Sequence, residues 1–296
     1  MHKIVPCIWM NGNAEEAVEL YTSLFEGSSV KQVVHYGESA SRASGQPEGS
    51  VMTILFTLGD LEYMALNGGP SIKCSPSVSL FVNCDTKEEV DRVFSALSEG
   101  GMVMMELGEY PFSQRFGWLN DRFGVSWQVN LASRQQKITP FLMFSGAVAG
   151  KAEEAMEFYR SCFNGTEIVH VDKWKAGDFG TEGTIKMGAF KLEGQEFIVS
   201  DSAMDHKFGF TAGISFVVNC RDQAEIDRMW SILAVGGAQD RCGWLTDRYG
   251  VSWQIVPDRL GKMLSESEGD GAERIMKAIM GMKKLDLAEL QAASSK

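Results

Sequence analysis

The chain has 296 residues, of which 44% are apolar and 23% are charged, and its formal net charge is −11. This composition suits globular domains with sizeable cores, and an acidic chain without a run of Lys and Arg argues against a nucleic-acid partner. The N-terminus turns polar too soon for a signal peptide, and no apolar run approaches the ~20 residues of a membrane span. We therefore expect a cytoplasmic protein with no membrane partner. Its six cysteines form no C-x-x-C pair and are expected to be reduced, mostly buried thiols.

The first predicted elements form a β-α-β-β-β module. A short apolar run at 4–10 predicts the opening strand. Residues 14–25 then place apolar side chains three and four positions apart, which is one face of a helix, and Gly27 ends it. Three strand-like segments follow at 30–36, 50–58 and 61–66. Gly59–Asp60 between the last two is a hairpin signal.

The same order then starts again. Residues 77–84 predict a strand and 86–97 a helix ended by Gly100–Gly101. Further strands are predicted at 102–107, 115–119 and 125–131. Residues 1–131 therefore contain two modules.

The second half of the chain repeats the first. GWLNDRFGVSWQ at 117–128 returns at 243–254 with ten of twelve letters unchanged. Two further segments recur in the same order, 14–27 as 152–165 and 82–101 as 218–237. The repeat predicts a tandem duplication of a unit of roughly 130 residues, with domains at 1–131 and 138–257 and a tail at 258–296. Four modules in all predict one mixed eight-stranded sheet per half, with helices on one face and the other face free to enclose a ligand.

The tail is predicted to contain an acidic link at 264–272 and a helix from Glu273 to Met282. The apolar positions of that helix lie on one broad face: Ile275, Met276, Ile279 and Met280. This face is expected to dock on the chain's own body or to form a homodimer contact.

These segments resemble the PhnB-like group of the vicinal oxygen chelate superfamily, which includes glyoxalase I, bleomycin-resistance proteins and extradiol dioxygenases. The resemblance rests on the helix segments 13–25 and 151–163 and on 110–128, and it extends to the tail segment 277–293. It implies an α+β fold in which four βαβββ modules pair into two cupped mixed eight-stranded sheets, followed by a C-terminal helical tail. The working unit implied is a dimer, which the duplication supplies within one chain as a pseudo-dimer.

Metalloenzymes of the superfamily present His and Glu ligands on inward-facing strands. The resemblance therefore implies which positions of this sequence would carry metal ligands. None of the four histidines falls at such a position, and the last strand of each half carries Gln128 or Gln254 where the ligand Glu would stand. Gln is a neutral and weaker ligand, so no metal or other cofactor is expected, with weak binding of a divalent ion as the alternative. A Gly-rich adenosylmethionine-binding loop after the first strand is also missing, which argues against the methyltransferase label common in this family.

The two faces of the last strands divide the candidate residues. Because side chains alternate along a strand, Gln128 and Gln254 facing the cup would turn Trp127 and Trp253 toward the helices. The two Gln side chains either bind a ligand or satisfy a buried neighbour. The full set of pocket candidates is Gln128, Ser126, Asn130, Trp118, Tyr110, Phe112, Gln254, Ser252 and Trp244. Tyr110 and Phe112 lie in the stretch 102–116 that the second half lacks, which favours the first half if only one cup binds.

Three functional readings remain open. The first is a metal-free module that binds or sequesters a small, partly apolar molecule. The second is a lyase, isomerase or dioxygenase that uses a divalent metal. The third is a structural or regulatory protein with filled cups. The sequence does not decide whether the protein is an enzyme.

Overall fold

The computed structural model describes residues 2–267 and 270–294 and contains the four predicted modules. The first module comprises β1 (Ile4–Met10), α1 (Ala14–Leu24), β2 (Ser29–His35), β3 (Val51–Leu58) and β4 (Leu61–Asn67). The second comprises β5 (Val78–Cys84), α3 (Lys87–Ser98), β6 (Met102–Tyr110), β7 (Ser113–Asn120) and β8 (Ser126–Leu131). A short helix that the sequence did not predict, α2 (Glu38–Ser44), lies between β2 and β3.

The second half repeats this order. The third module comprises β9 (Ile138–Phe144), α4 (Ala152–Cys162), β10 (Glu167–Lys173), β11 (Ile185–Leu192) and β12 (Gln195–Asp201). The fourth comprises β13 (Ile214–Cys220), α5 (Gln223–Leu233), β14 (Ala238–Gln239), β15 (Trp244–Thr246) and β16 (Ser252–Pro257). The tail comprises α6 (Leu260–Glu266), α7 (Gly271–Gly281) and α8 (Leu287–Ser294). A single 3-10 turn at Gly146–Val148 precedes α4.

The sixteen strands form two mixed eight-stranded sheets, as predicted, but each sheet combines both halves of the chain. Sheet A has the order β14-β15-β16-β13-β1-β4-β3-β2, and sheet B has the order β10-β11-β12-β9-β5-β8-β7-β6. The first module therefore pairs with the fourth through β1 and β13, and the second pairs with the third through β5 and β9. The prediction of one sheet per half was wrong. Strands β5 and β13 have nearly the same sequence and both are buried throughout, so the sequence did not show which of them lies beside β1.

One continuous core holds the two sheets together. It contains apolar side chains from both sheets and from all four module helices, including the predicted face of α1 with Ala17, Val18, Tyr21 and Leu24. Trp127 and Trp253 are almost fully buried in this core, so their strands turn them toward the helices as predicted. The opposite, concave face of each sheet carries Gln128 or Gln254.

A buried aspartate fixes the turn before each of these last strands. Asp247 Oδ1 accepts hydrogen bonds from the amides of Tyr249 at 2.9 Å and Val251 at 3.1 Å. Its Oδ2 accepts one from the Tyr159 hydroxyl and one from the Trp253 indole, both at 2.8 Å. Burial raises the pKa of this carboxyl, and the four donated hydrogen bonds oppose that rise. The network ties α4 to β16 and sets which face of the strand Gln254 occupies.

Asp121 makes the same four contacts in the first half, with the amides of Phe123 and Val125, the Trp127 indole and the Tyr21 hydroxyl. The neighbouring arginines point elsewhere. Arg122 pairs with Glu16 of α1 at 2.9 Å, and the Arg248 guanidinium lies 4.5 Å from the centre of the Phe158 ring. The near-identity of the two segments is thus explained by a shared buried network.

The tail docks on the chain's own body over sheet A. Ile275 and Ile279 of α7 are buried in a cluster with Leu285 and Leu290. The amides of Cys242 and Gly243 donate hydrogen bonds to the Met282 and Lys283 carbonyls, both at 2.8 Å. The predicted helix from Glu273 to Met282 is therefore present, although it begins at Gly271. A homodimer contact through the tail stays a prediction.

The predicted acidic link is partly helical. Residues 264–266 belong to α6 and 271–272 to α7, while 268 and 269 lie outside the described residues. In the part of the chain that is described, no helix is both long and apolar enough to cross a membrane.

Candidate functional site

A cavity of about 370 Å³ lies between the concave face of sheet A and the tail. Its floor consists of apolar side chains from five strands: Val5, Leu55, Met64, Leu66, Val217 and Val256. The size lies at the lower end of the range for ligand pockets, roughly 300–1,000 Å³. The cavity is therefore large enough for a small organic molecule.

Three helices cover this floor. Helix α7 contributes Met276, Ile279 and Met280, and α6 and α2 add further apolar side chains. The Glu273 carboxylate accepts a hydrogen bond from the Ser39 amide at the start of α2, which links α7 to α2 across the cavity. The cover is thus built from the tail and from the helix that interrupts the first module.

The polar groups at the cavity are few and mostly bonded within the protein. Gln254 Nε2 donates to Ser215 Oγ at 3.0 Å, and Asn219 Nδ2 donates to the His2 carbonyl at 2.8 Å. Burial raises the pKa of the nearby Cys7 thiol to about 11, partly offset by hydrogen bonds with Gln254 and Ser215. Among the described residues that line the cavity, Asp258 is the only carboxylate, and there is no Lys, Arg or His. The site is therefore neutral apart from Asp258.

The concave face of sheet B is filled by aromatic side chains. The rings of Phe81 and Phe141 stack with centroids 6.1 Å apart and an interplanar angle of 18°, and Phe116 lies 6.3 Å from Phe81. Phe208 from the β12–β13 loop packs on the same cluster and stacks on His206. Sheet B thus packs its own side chains into the space that stays open over sheet A.

The difference follows from residues at equivalent places in the two sheets. Phe141 pairs with Ser79 where Cys7 pairs with Ser215. Phe81 pairs with Gln128 where Val217 pairs with Gln254. Two stacked rings in sheet B are therefore replaced by two small side chains in sheet A.

The third difference lies at the shortened hairpin. Phe116 lies within β7, whereas Cys242, its counterpart in the repeat, has a left-handed φ of 60° and donates its amide hydrogen bond to the tail. The missing hairpin residues leave space for the tail to dock there. An alignment of the two halves contains the signal for this asymmetry, namely Phe81 against Val217 and Phe141 against Cys7.

The nine predicted pocket residues fall into two groups on different sheets. Gln254 and Trp244 line the cavity, and Ser252 is buried on the same strand. Five of the other six belong to strands of sheet B, and Phe112 lies in the turn between β6 and β7: Gln128, Ser126, Asn130, Trp118, Tyr110 and Phe112. We expected the longer hairpin of the first half to mark the better pocket, but the cavity lies beside the shorter one. The binding roles of all nine residues stay predictions.

Within sheet B four of the predicted residues form hydrogen bonds with other side chains of the sheet. Gln128 Nε2 donates to Ser79 Oγ at 2.8 Å, and the Trp118 indole donates to Ser126 Oγ, also at 2.8 Å. The Asn130 amide donates to Asn83 at 3.2 Å. Each predicted Gln therefore satisfies a buried serine, which was one of its two predicted roles.

The outer hairpin carries the remaining two candidates. Tyr110 and Phe112 stack with ring centroids 5.5 Å apart, and both pack against Phe116. Phe112 is 63% exposed. These rings therefore extend the aromatic cluster of sheet B to the surface of the molecule.

Paired βαβββ modules around two concave sheets define the fold class of glyoxalase I and the vicinal oxygen chelate superfamily. Glyoxalase I from Zea mays is similar with a TM-score of 0.56 over 90% of this chain and 98% of that chain, at 11% identity. A protein-family model described as 3-demethylubiquinone-9 3-methyltransferase matches residues 2–130 and again 136–256. The chain belongs to that PhnB-like family, with two copies in tandem.

Single-unit relatives match half of the chain. A PhnB protein from Bacillus cereus is 42% identical, and the match covers 44% of this chain and 100% of that chain with a TM-score of 0.41. Protein YjdN from Escherichia coli is 25% identical over 141 residues, which are 44% of this chain and 95% of that protein.

The superfamily's metal chemistry can be tested against the donors at the middle of each concave face. In sheet A the neighbouring positions carry Cys7, Met64, Ser215 and Gln254. The corresponding positions in sheet B carry Phe141, Ile198, Ser79 and Gln128. Across residues 2–267 and 270–294, no group of three or more His, Cys, Asp and Glu side chains is placed so that it could hold a metal ion. A thioether, a hydroxyl, an amide and a thiol of raised pKa do not fit a catalytic divalent ion, which prefers imidazole and carboxylate ligands.

Proposed function

We propose that this protein binds and encloses a small, neutral, largely apolar molecule between sheet A and its tail, without a metal. The observation that carries the proposal is the cavity of about 370 Å³ with an apolar floor and an apolar cover. Burying apolar ligand surface there contributes about 25 cal/mol per Å². The counterpart sheet fills the same space with its own rings, so the open space over sheet A is a specific feature of that sheet.

The lining supports binding rather than catalysis. Gln254 and Asn219 of the lining donate hydrogen bonds to protein partners, and burial of the nearby Cys7 raises its pKa, which keeps that thiol protonated at neutral pH. A nucleophile next to a base, or a buried acid facing the cavity, would support an enzyme instead. Among the described lining residues Asp258 is the only acid, and its side chain is 39% exposed and therefore not a buried acid.

Neither enzyme reading has comparable support. A lyase, isomerase or dioxygenase of the superfamily would need a divalent ion, and the donors at the middle of sheet A do not fit one. The methyltransferase in the family description would need a site for S-adenosylmethionine. Here the turn from β1 to α1, Asn11–Asn13, contains a single glycine, Gly12, and is not a Gly-rich loop.

We also infer that the two fused halves take the place of two chains. Each sheet uses one module from each half, and the single-unit Bacillus cereus protein aligns along its whole length with half of this chain. Light scattering after gel filtration is expected to give the mass of one chain, 32.6 kDa. A mass of two or more chains would show that the fused pair is not self-sufficient.

The binding proposal is tested with the neutral dye N-phenyl-1-naphthylamine, whose fluorescence rises in apolar sites. We expect saturable binding of one dye per chain to the wild type. Val217→Phe blocks the cavity from its floor and Met276→Trp blocks it from its cover, so either variant should abolish binding. Phe81→Leu changes the equivalent position in sheet B and is the matched control that should still bind. Equal binding by all four proteins would refute the site.

The metal-free part of the proposal has its own measurement. Elemental analysis of protein purified without chelators is expected to find less than stoichiometric transition metal. One metal ion per chain would overturn this part and would reopen the lyase and dioxygenase chemistry.

A further inference from the structure

We propose that the molecule held over sheet A is a flat, neutral aromatic compound; this inference rests on the binding function proposed above and names the class of its ligand. The two sheets are built alike at the floor of their concave faces. At the floor the strands pair in the same register. Trp244 pairs with Gln254 in sheet A, and Trp118 pairs with Gln128 at the equivalent place in sheet B. The Gln-to-Ser hydrogen bond is also present in both. The central strands of the two sheets are therefore arranged alike, whereas the outer hairpin is shorter in sheet A and the side chains on the concave face differ.

The rings that cover the concave face of sheet B indicate the shape of molecule that the same strand arrangement accepts in sheet A. Phe81 and Phe141 lie at an interplanar angle of 18°, so they occupy a flat, layered space above the strands. Val217 and Cys7 hold the same two positions in sheet A and leave that layer without rings. Protein interiors pack about as densely as organic crystals, so the best occupant is one that restores the missing planar surfaces.

The walls of the cavity suit an aromatic face. Four methionines line it, Met52 and Met64 from sheet A and Met276 and Met280 from α7. Thioether sulfur makes favourable contacts with aromatic rings, and flexible Met side chains adapt to a flat ligand. The Trp244 indole adds an aromatic wall at one end, where it meets Trp9 with ring centroids 6.0 Å apart.

The charges of the lining residues restrict the class of ligand further. The described lining residues include no Lys, Arg or His, so a ligand carboxylate or phosphate would be buried without a cationic partner. Asp258, the one carboxylate among them, is paired with Arg259 at 3.9 Å and offers no positive charge to a ligand. A neutral ring system with at most a hydroxyl or carbonyl group therefore fits, whereas a charged one does not.

Titration calorimetry with three matched compounds tests this inference. 2-Naphthol is flat and neutral, decahydro-2-naphthol has the same carbon skeleton and hydroxyl but puckered rings, and 2-naphthoate is flat and anionic. We expect wild-type protein to bind one 2-naphthol per chain about tenfold more tightly than the saturated compound, from ring and sulfur contacts. 2-Naphthoate should bind more weakly than 2-naphthol.

The outcomes separate the ligand class from the proposed function. Equal affinity for the first two compounds, or tighter binding of the saturated one, would overturn the aromatic class and leave the binding function standing. Binding of neither compound to the wild type would overturn both. Loss of 2-naphthol binding in Val217→Phe or in Met276→Trp, with retention in Phe81→Leu, supports the location, and retention in both blocked variants contradicts it.

Discussion

Replacing Asp247 by Asn changes the buried network before β16 at one atom. The Asn Oδ1 can still accept from the Tyr249 and Val251 amides, but its NH2 group then faces two donors. The Tyr159 hydroxyl can rotate and accept instead, whereas the Trp253 indole N–H cannot. One buried donor is therefore left without an acceptor, which costs about 1–3 kcal/mol. The Tyr159 hydrogen bond also loses its charged acceptor, worth about another 1 kcal/mol.

Removing the buried charge offsets part of this loss. Burial raises the pKa of Asp247, which means that burial disfavours its charged form. We therefore expect D247N to lower the free energy of unfolding by about 2 kcal/mol at pH 7. Urea denaturation monitored by tryptophan fluorescence measures this value. D121N is the matched variant within the same chain, since Asp121 has the same four donors. A loss below about 0.5 kcal/mol in both variants would refute the reasoning.

Three further predictions follow from contacts described by the structure. Burial raises the pKa of Glu225, but the ion pair with Lys3 at 2.8 Å outweighs it and the net pKa lies below 4.5. The stability from this pair is therefore fully present above pH 4.5 and is lost as the pH falls through the lowered pKa of the folded state. E225Q should lower the free energy of unfolding by about 1–2 kcal/mol at pH 7 and by progressively less as the pH falls below 4.5, as measured by denaturation. Ile275→Ala removes a fully buried side chain of α7, and we expect about 2–4 kcal/mol of local loss, seen as faster trypsin cleavage of the tail with an unchanged core melting transition. Gly237→Ala would place a Cβ 1.9 Å from the Thr246 carbonyl oxygen, so we expect a loss of about 1–3 kcal/mol, and a wild-type melting temperature would contradict the clash.

The sequence predicted those features that local periodicity determines. Alternation along β8 and β16 predicted that the tryptophans face the helices and the Gln side chains the concave faces. Three-and-four spacing predicted the buried face of α1. These predictions were confirmed because each depends on residues close together in the chain.

The sequence did not predict features that depend on distant partners. Strands β5 and β13 have equivalent patterns, so the choice of partner for β1 was not visible in either. The cavity depends on where the tail docks and on Phe81 and Phe141 being replaced by Val217 and Cys7 in sheet A. The two Phe replacements were visible in the repeat. Their effect on the cavity volume appears only when the two rings are placed side by side in the folded sheet.

The pairing of the first module with the fourth has a consequence for synthesis of the chain. Strand β1 leaves the ribosome before the strands of sheet B, yet its partner β13 lies beyond the whole of sheet B in the sequence. Sheet B joins two consecutive modules, so it can be completed while β13 has not yet been made. Sheet A can be completed only after β13 has been made, and the tail that covers the cavity follows β16 in the chain. Until then the first module exposes an unpaired strand edge, which is the part of a nascent β-protein most open to pairing with other chains.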